Sequence, residues 1–525
     1  MKNNLPSKIL VVMLLLALGL SNLIAAPVRA AGTSYYVDCS ASSNGDGTQA
    51  SPWNNLDTVS SFAFNPGDSV LFKRGTTCTG ALLFQRAGTS SDRITLGDYG
   101  DGALPILNGA GQETTLKLVN PSYVTVQNLE ITGSTRWGLL ATSNVTTVIE
   151  GLVLQNLVVR DVTGGTMDAK FTGLVIVMPM IKLGKFNNVL IDHVTAYNTT
   201  MWSGIMVWGI WLEGDMRWRQ RAQDPAQRSS NIVIRNSTVH DTYGDGITVY
   251  MGNGITLENN VVYRSGQEPT QTIGTPNAIW TWASNNVLVQ GNEAYENNSP
   301  GADGGAFDVD YWSDSTTIQY NYAHDNSAYC VGIFGAERST TTNTIVRYNI
   351  CANNGVENNT DGAEEIYFCT WNHGKLGDVQ IYGNTLYTTV RGAVGTCSGV
   401  PVPKFARRSV QTFMNNLVVS TVPNVLGAGM ANIPFKRDYN LYYYTGGSFT
   451  GDEAHSIYNQ DPLVNSLGYH SVGRPTTQWT LQAGSPAINA GTDPCIGIPG
   501  CTTGGRDFFG GAVPVGAYDI GADEN

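Results

Sequence analysis

The sequence predicts an all-β chain wound as a single-stranded right-handed parallel β-helix, and three observations carry the prediction. A short phrase recurs at intervals averaging about 32 residues, glycine is high at 60 of 525 with only 14% charged residues, and helical periodicity is scarce after residue 65. The phrase reads "VTVQNLEITG", "LVLQNLVVRD", "VLIDHVTAYN", "IVIRNSTVHD", "ITLENNVVYR" and onwards to "VQTFMNNLVV". Its late apolar position falls at Ile131, Val159, Ala196, Val239, Val262, Ala294, Ala323, Cys351, Leu386 and Val418, with spacings between 23 and 43 residues. A period of that size marks a solenoid, and the variable spacing marks loops that differ while the strands stack. Each phrase holds two short alternating pieces around an Asn or Gly. A third piece precedes it, as in "DGITVYM", "NAIWTWA", "GAFDVDY" and "CVGIFGA", so each coil takes three strands. The recurring turn asparagines are expected to hydrogen-bond to one another along the stack.

Taken in order, residues 1–30 have Lys2 and Lys8 ahead of an apolar run and small residues at Ala30 and Ala31, the layout of a secretory signal peptide. An exported chain without membrane insertion follows. Residues 31–120 form the N-terminal cap and first coils. Within them "SPWNNLDTVSSF" predicts a capping helix with Ser51 as N-cap, Pro52 at its first position and Trp53, Leu56, Val59 and Phe62 on its buried face. Residues 121–435 are the central β-helix, and 436–525 the C-terminal coils and cap, where no chemistry is expected. The net charge of −12 argues against nucleic acid as a partner. Nothing in the sequence calls for an oligomer, and a monomer is expected.

"YYVDCSASSNGDGTQASPWNNLDT", "PGDSVLFKRG", "ITLGDYGDGALPILNG", "LQAGSPAINAGTD" and "GAYDIGADE" resemble the secreted right-handed β-helix proteins of the pectate-lyase-like superfamily, which includes bacterial polysaccharide lyases and glycoside hydrolases. The resemblance covers nearly all the chain after residue 30 and implies fold and export. Because it lies in caps and first coils, it does not choose a reaction.

The eight cysteines contain no CxxC pair and histidine is scarce, which disfavours zinc. Export and an even count point to disulfides. Neighbour pairing would join Cys39 with Cys78, Cys330 with Cys351, Cys369 with Cys397 and Cys495 with Cys501; only the last is favoured by its short loop.

The chemistry is sought on the outer face of the first strand of each coil. Registering the coils by their phrases sets Ile247 and Val249 beside Ile279 and Thr281, Phe307 and Val309, and Val331 and Ile333, all inward. The outward partners are Thr248 and Tyr250, Trp280 and Trp282, Asp308 and Asp310, then Gly332 and Phe334, with Trp208 before them and Glu365 and Tyr367 after. A groove of aromatics with acids at its centre suits sugar rings and acid–base work on the bond between them. Asp308 and Asp310 are the expected catalytic pair, with Asp303, Asp245 or Glu365 as a third carboxylate. Trp280, Trp282, Tyr250, Trp208 and Tyr367 are the expected sugar platforms, and His373 overhangs from a loop. A one-residue slip in "AEEIY" would instead turn Glu364 outward and Glu365 towards a loop or the core. His240 and His324, each followed by Asp, read as structural turn residues.

Hydrolysis of a poly- or oligosaccharide, needing no cofactor, is the favoured activity. A calcium-dependent lyase or epimerase, with Asp308 and Asp310 as metal ligands, stays open because Arg338, Lys375, Lys404, Arg407 and Arg408 lie in nearby loops. A non-catalytic glycan-binding adhesin is the remaining alternative.

Overall fold

The structure is a computed structural model that describes residues 32–164, 171–210, 224–269, 276–299, 303–356, 362–397, 402–498 and 501–525. The signal-peptide expectation lies outside these residues. No described helix is long and apolar enough to cross a membrane.

The chain winds as predicted. Among the described residues the strands of successive coils pair in parallel, as in Ile247 beside Ile279 beside Phe307 beside Val331 beside Ile366. Among the described residues one sheet has 11 strands, from Leu82–Phe84 to Val394–Thr396, and it carries the predicted acids. The other two faces of the coil are joined by long strands that bend between them. Phe186–Thr199 pairs with Ser229–Arg235 through its first half and Thr238–Thr242 through its second. Inside runs one apolar column, including Ile205, Ile247, Ile279, Phe307, Val331 and Ile366, all fully buried.

The turn asparagines ladder as expected. Asn260, Asn292, Asn321, Asn349, Asn384, Asn416 and Asn440 sit in successive coils, each Nδ2 but the last donating to the next Oδ1 at 2.9–3.3 Å, and Asn440 ends the row on Glu453. Because each side chain also receives the previous coil's backbone N–H, the ladder satisfies groups that a buried turn would leave orphaned. His240 and His324 join a stack of rings, Tyr197, His240, Tyr263, Tyr295 and His324, with centroids 4.7–5.0 Å apart. All four neighbour disulfides are present.

Two expectations about the ends are corrected. The capping helix spans Leu56–Ser61 with Asn55 as N-cap, its side chain accepting from the Thr58 amide. Ser51 and Trp53 lie before it in extended bridges. Asn55 offers the same capping oxygen four residues later, leaving Trp53 free to pack on Tyr35. The C-terminal segment does more than end the stack: after residue 460 it returns along the outside of the coils. There Trp479 and Leu481 cover Leu417 and Leu441, and Tyr322 donates to the Ser471 carbonyl.

Candidate active site

The first strand of each coil begins with a small residue followed by a large one: Gly246–Ile247, Ala278–Ile279, Ala306–Phe307 and Cys330–Val331. In a regular strand successive amides point to opposite neighbours. Here both amides of each pair donate to the same next coil, as Gly246 to the Asn277 carbonyl and Ile247 to the Ala278 carbonyl. The strand bends by one residue, both side chains of the pair enter the core, and the residue before the pair comes out on the same face as the residue after it. Asp245, Asn277 and Tyr329 thereby join Trp280 and Asp308.

Asp308 lies on the outer ladder between Trp280 and Gly332 but is only 5% exposed. Its Oδ2 accepts from Asn277 Nδ2 at 3.0 Å, while Oδ1 has no hydrogen-bond partner among the described residues. Burial, with Asp310, Asp303 and Asp245 as neighbouring charges, pushes its pKa well above the usual carboxylate range. Asn277 is the hub beside it. Its Oδ1 accepts from the Gly305 amide at 2.8 Å and the Tyr329 hydroxyl at 3.1 Å, and its own amide donates to Asp245 at 3.2 Å. Tyr329 also donates to Asp303 Oδ1 at 3.2 Å. Its ring occupies the space over Gly305 and Gly332, where a Cβ would fall 2.2 and 2.6 Å from it.

The two remaining acids of the group, Asp303 and Asp310, are half-buried and reach the surface. Asp245 does not: its Oδ2 accepts from Trp202 Nε1 at 2.7 Å and Tyr250 at 3.1 Å, so this carboxylate braces the aromatic wall instead of facing a ligand. Glu365 is corrected outright. It occupies the small position of its own pair, Glu365–Ile366, and is fully buried in the core. There it accepts from Asn354 Nδ2 at 2.7 Å and closes a second ladder through Asn297, Asn326 and Asn354. Burial pushes its pKa up to about 8. The strand is not slipped, since Ile366 stays inward beside Val331 and Tyr367 beside Gly332; the bend alone turns Glu365 inward and leaves Glu364 on the outer face against Gly395. Cys330, Cys351 and Glu365 are the group of potential metal ligands found among the described residues, and both sulfurs are in one disulfide.

The expected platforms point outward but pack on one another. Trp208, Tyr250 and Trp280 are buried in an apolar cluster with Met206 and Trp202, Trp208 lying 4.5 Å from Tyr250 and Tyr250 5.0 Å from Trp280. Tyr367 is buried too, stacked on Tyr329 at 5.6 Å. Ring-on-ring packing removes the faces a sugar would need. The accessible rings are half-buried Trp282 and Tyr311 and exposed Trp371. Tyr311 lies 5.6 Å from Trp282 and 5.7 Å from Trp371, and Trp371 lies 6.1 Å from Phe334. His373 sits two residues beyond Trp371 in the same exposed turn. Asn277, Tyr329, Trp202 and Trp371 escaped the sequence reading. The recurring small–large pairs were the signal that would have placed Asn277 and Tyr329, each the residue just before its pair.

Residues 225–386 match a family model described as the right handed beta helix region. A lacto-N-biosidase of Bifidobacterium longum subsp. longum is 26% identical across 95% of this chain, and the chain spans 37% of that relative's length. Among solved structures, pectate lyase Pel9A aligns over 94% of this chain and 97% of its own at 15% identity and a TM-score of 0.43. The GH136 lacto-N-biosidase from Eubacterium ramulus aligns over 72% of this chain and 67% of its own, at 23% identity and a TM-score of 0.57. Winding, register and the matching family model agree on the architecture: the chain is a right-handed parallel β-helix.

Proposed function

We propose that the chain hydrolyses glycosidic bonds of an oligosaccharide at the outer face of the 11-stranded sheet, with Asp303 and Asp310 as the reacting carboxylates. The observation that carries this is the division among three neighbouring acids: Asp308 is buried, which pushes its pKa well above the usual carboxylate range, while Asp303 and Asp310 reach the surface. Glycoside hydrolysis needs one carboxyl to protonate the leaving oxygen and a second to attack the anomeric carbon or activate water. A carboxyl with under a tenth of its surface exposed and one oxygen on Asn277 is poorly placed for either contact. Asp303 therefore replaces Asp308 in the pair expected from sequence, and Asp308 becomes a positioning residue beneath it. Three carboxyls within electrostatic range do not all ionise, and the most buried one keeps the proton. Trp282, Tyr311 and Trp371 supply ring faces beside the acids.

The lacto-N-biosidase names of the relatives make that enzyme's substrates the first to test. Four disulfides support action outside the cytoplasm, and no metal is required. New reducing ends, formed without an unsaturated product and unaffected by a chelator, are the expected result. Asp303→Asn and Asp310→Asn should each lower turnover about 100- to 10,000-fold, and Asp308→Asn, which imitates a neutral carboxyl, by less than about tenfold. Unsaturated products that vanish with chelator would establish the lyase, and near-normal turnover in both surface variants would remove the pair.

A further inference from the structure

The returning C-terminal segment borders an open cavity of about 430 Å³ against the next face of the coils, and its walls include Gln290, Gln319, Tyr320, Arg474, Arg506 and Phe508. Gln290 and Gln319 end the strands Asn285–Gln290 and Asp314–Gln319, which follow the Trp280 and Asp308 strands around the bend. The cavity therefore sits on the same coils as the acidic groove but on another side.

Its floor is chemically spent. Gln290 Nε2 donates to Glu258 at 3.0 Å, Gln319 Nε2 to Gln290 at 2.9 Å, and Arg347 Nε to Gln319 at 2.8 Å, so the amides and Arg347 are committed to one another. Asp507, the acid of the cavity, is likewise committed: its two oxygens accept the Gly511 and Glu524 amides at 2.6 and 2.9 Å. The guanidinium groups are not. Arg474 makes one hydrogen bond, to the Tyr320 carbonyl, and lies 4.5 Å above the Phe508 ring. Arg506 is exposed. Neither has an ion-pair partner among the described residues. Burial lowers the Arg474 pKa to about 10, against the opposing pull of the Glu293 carboxylate, which is itself bound to the Gly473 amide.

Two guanidinium groups, Arg474 with a single hydrogen bond and Arg506 exposed, stand beside the rings of Tyr320 and Phe508 and form a positive recess on a chain of net charge −12. Guanidinium forks match a planar carboxylate in bidentate fashion, and aromatic faces match the apolar face of a pyranose. We propose that this cavity is a second, non-catalytic sugar-binding site for a carboxylate-bearing sugar of the uronate type, held by Arg474 and Arg506. The site does not depend on the chemistry of the acidic groove.

Calorimetric titration of the full chain with sodium glucuronate, glucose and sodium sulfate tests it. Glucuronate should bind at least tenfold more tightly than glucose or sulfate. Arg474→Gln and Arg506→Gln should each weaken glucuronate about ten- to hundredfold. Arg506 is exposed and makes no hydrogen bond to another described side chain, so its substitution keeps the test valid if Arg474→Gln misfolds. The proposal is overturned if glucuronate does not bind, if glucose or sulfate binds equally well, or if Arg506→Gln retains the wild-type affinity.

Discussion

Replacing Glu365 with glutamine examines how a carboxyl sealed inside the coil behaves as pH changes. Glu365 accepts from both the side chain and the backbone amide of Asn354. In the rung before it, a single amide oxygen on Asn354 accepts the corresponding two donors of Asn326, so glutamine can take over the geometry while losing the titration. Burial raises the folded-state pKa from the ordinary 4.5 to about 8. Below 4.5 both the folded and unfolded chains hold this proton, and the residue adds no slope. Between 4.5 and about 8 the unfolded chain has released it while the folded chain keeps it, so the unfolded state binds fewer protons and stability falls as pH rises. The fall is about 1.4 kcal/mol per pH unit, with a ceiling of about 5 kcal/mol across the window, and it levels off above about 8. Glu365→Gln lacks this loss. Urea unfolding followed by tryptophan fluorescence at about pH 5 and pH 8.5 should show the variant gaining on the wild type by several kcal/mol, with other titrating groups cancelling in the difference. A gap that stays constant, or that closes at the higher pH, refutes the reasoning.

Asn321→Ala should destabilise the chain by about 1–3 kcal/mol for each buried partner left unpaired, since Asn321 accepts two donors of Asn292 and gives to Asn349; a midpoint shift within error in chemical unfolding would dismiss the ladder as a stabilising device. Gly305→Ala places a methyl 2.2 Å from the Tyr329 ring, so turnover should fall at least tenfold as the Tyr329 contacts to Asn277 and Asp303 break, with circular dichroism unchanged; full activity would show that those contacts do not serve the acids. Trp371, 37% exposed, should affect KM more than kcat when changed to alanine, with a stability change within about 0.5 kcal/mol; an unchanged KM would remove it from the sugar-contacting surface.

The winding, the inward register from Ile247 to Val331 and the asparagine ladder were legible, because each depends on residues whose spacing repeats from coil to coil; of the disulfides only Cys495–Cys501 was favoured, by its short loop, because the other cysteines follow no repeat. The site was legible only in part. Strict alternation places Asp308 and Asp310 on the right face, yet it fails at Glu365, where two successive residues turn inward and shift the parity of everything before them. Alternation also says which way a side chain leaves the strand but not what covers it, so Trp208, Tyr250 and Trp280 read as open platforms although they bury one another. Asn277 was hidden for the first of these reasons and Trp371 by lying in a loop outside the repeat. The course of the last 65 residues could not be foreseen, since contacts such as Gly473 with Glu293 join positions with no shared pattern.

A row of coils that touch only their neighbours should fray from either end, each unit holding on with little knowledge of those further away. The returning segment changes that arithmetic, because one stretch of chain is fastened in turn to Glu293, Tyr322, Tyr382, Thr385 and Asn415. It works as a lengthwise belt: opening any coil beneath it requires unfastening the belt, which loosens the others at once. A chain cut near residue 460 should therefore melt broadly and in stages, whereas the intact one should come apart in a single sharp transition.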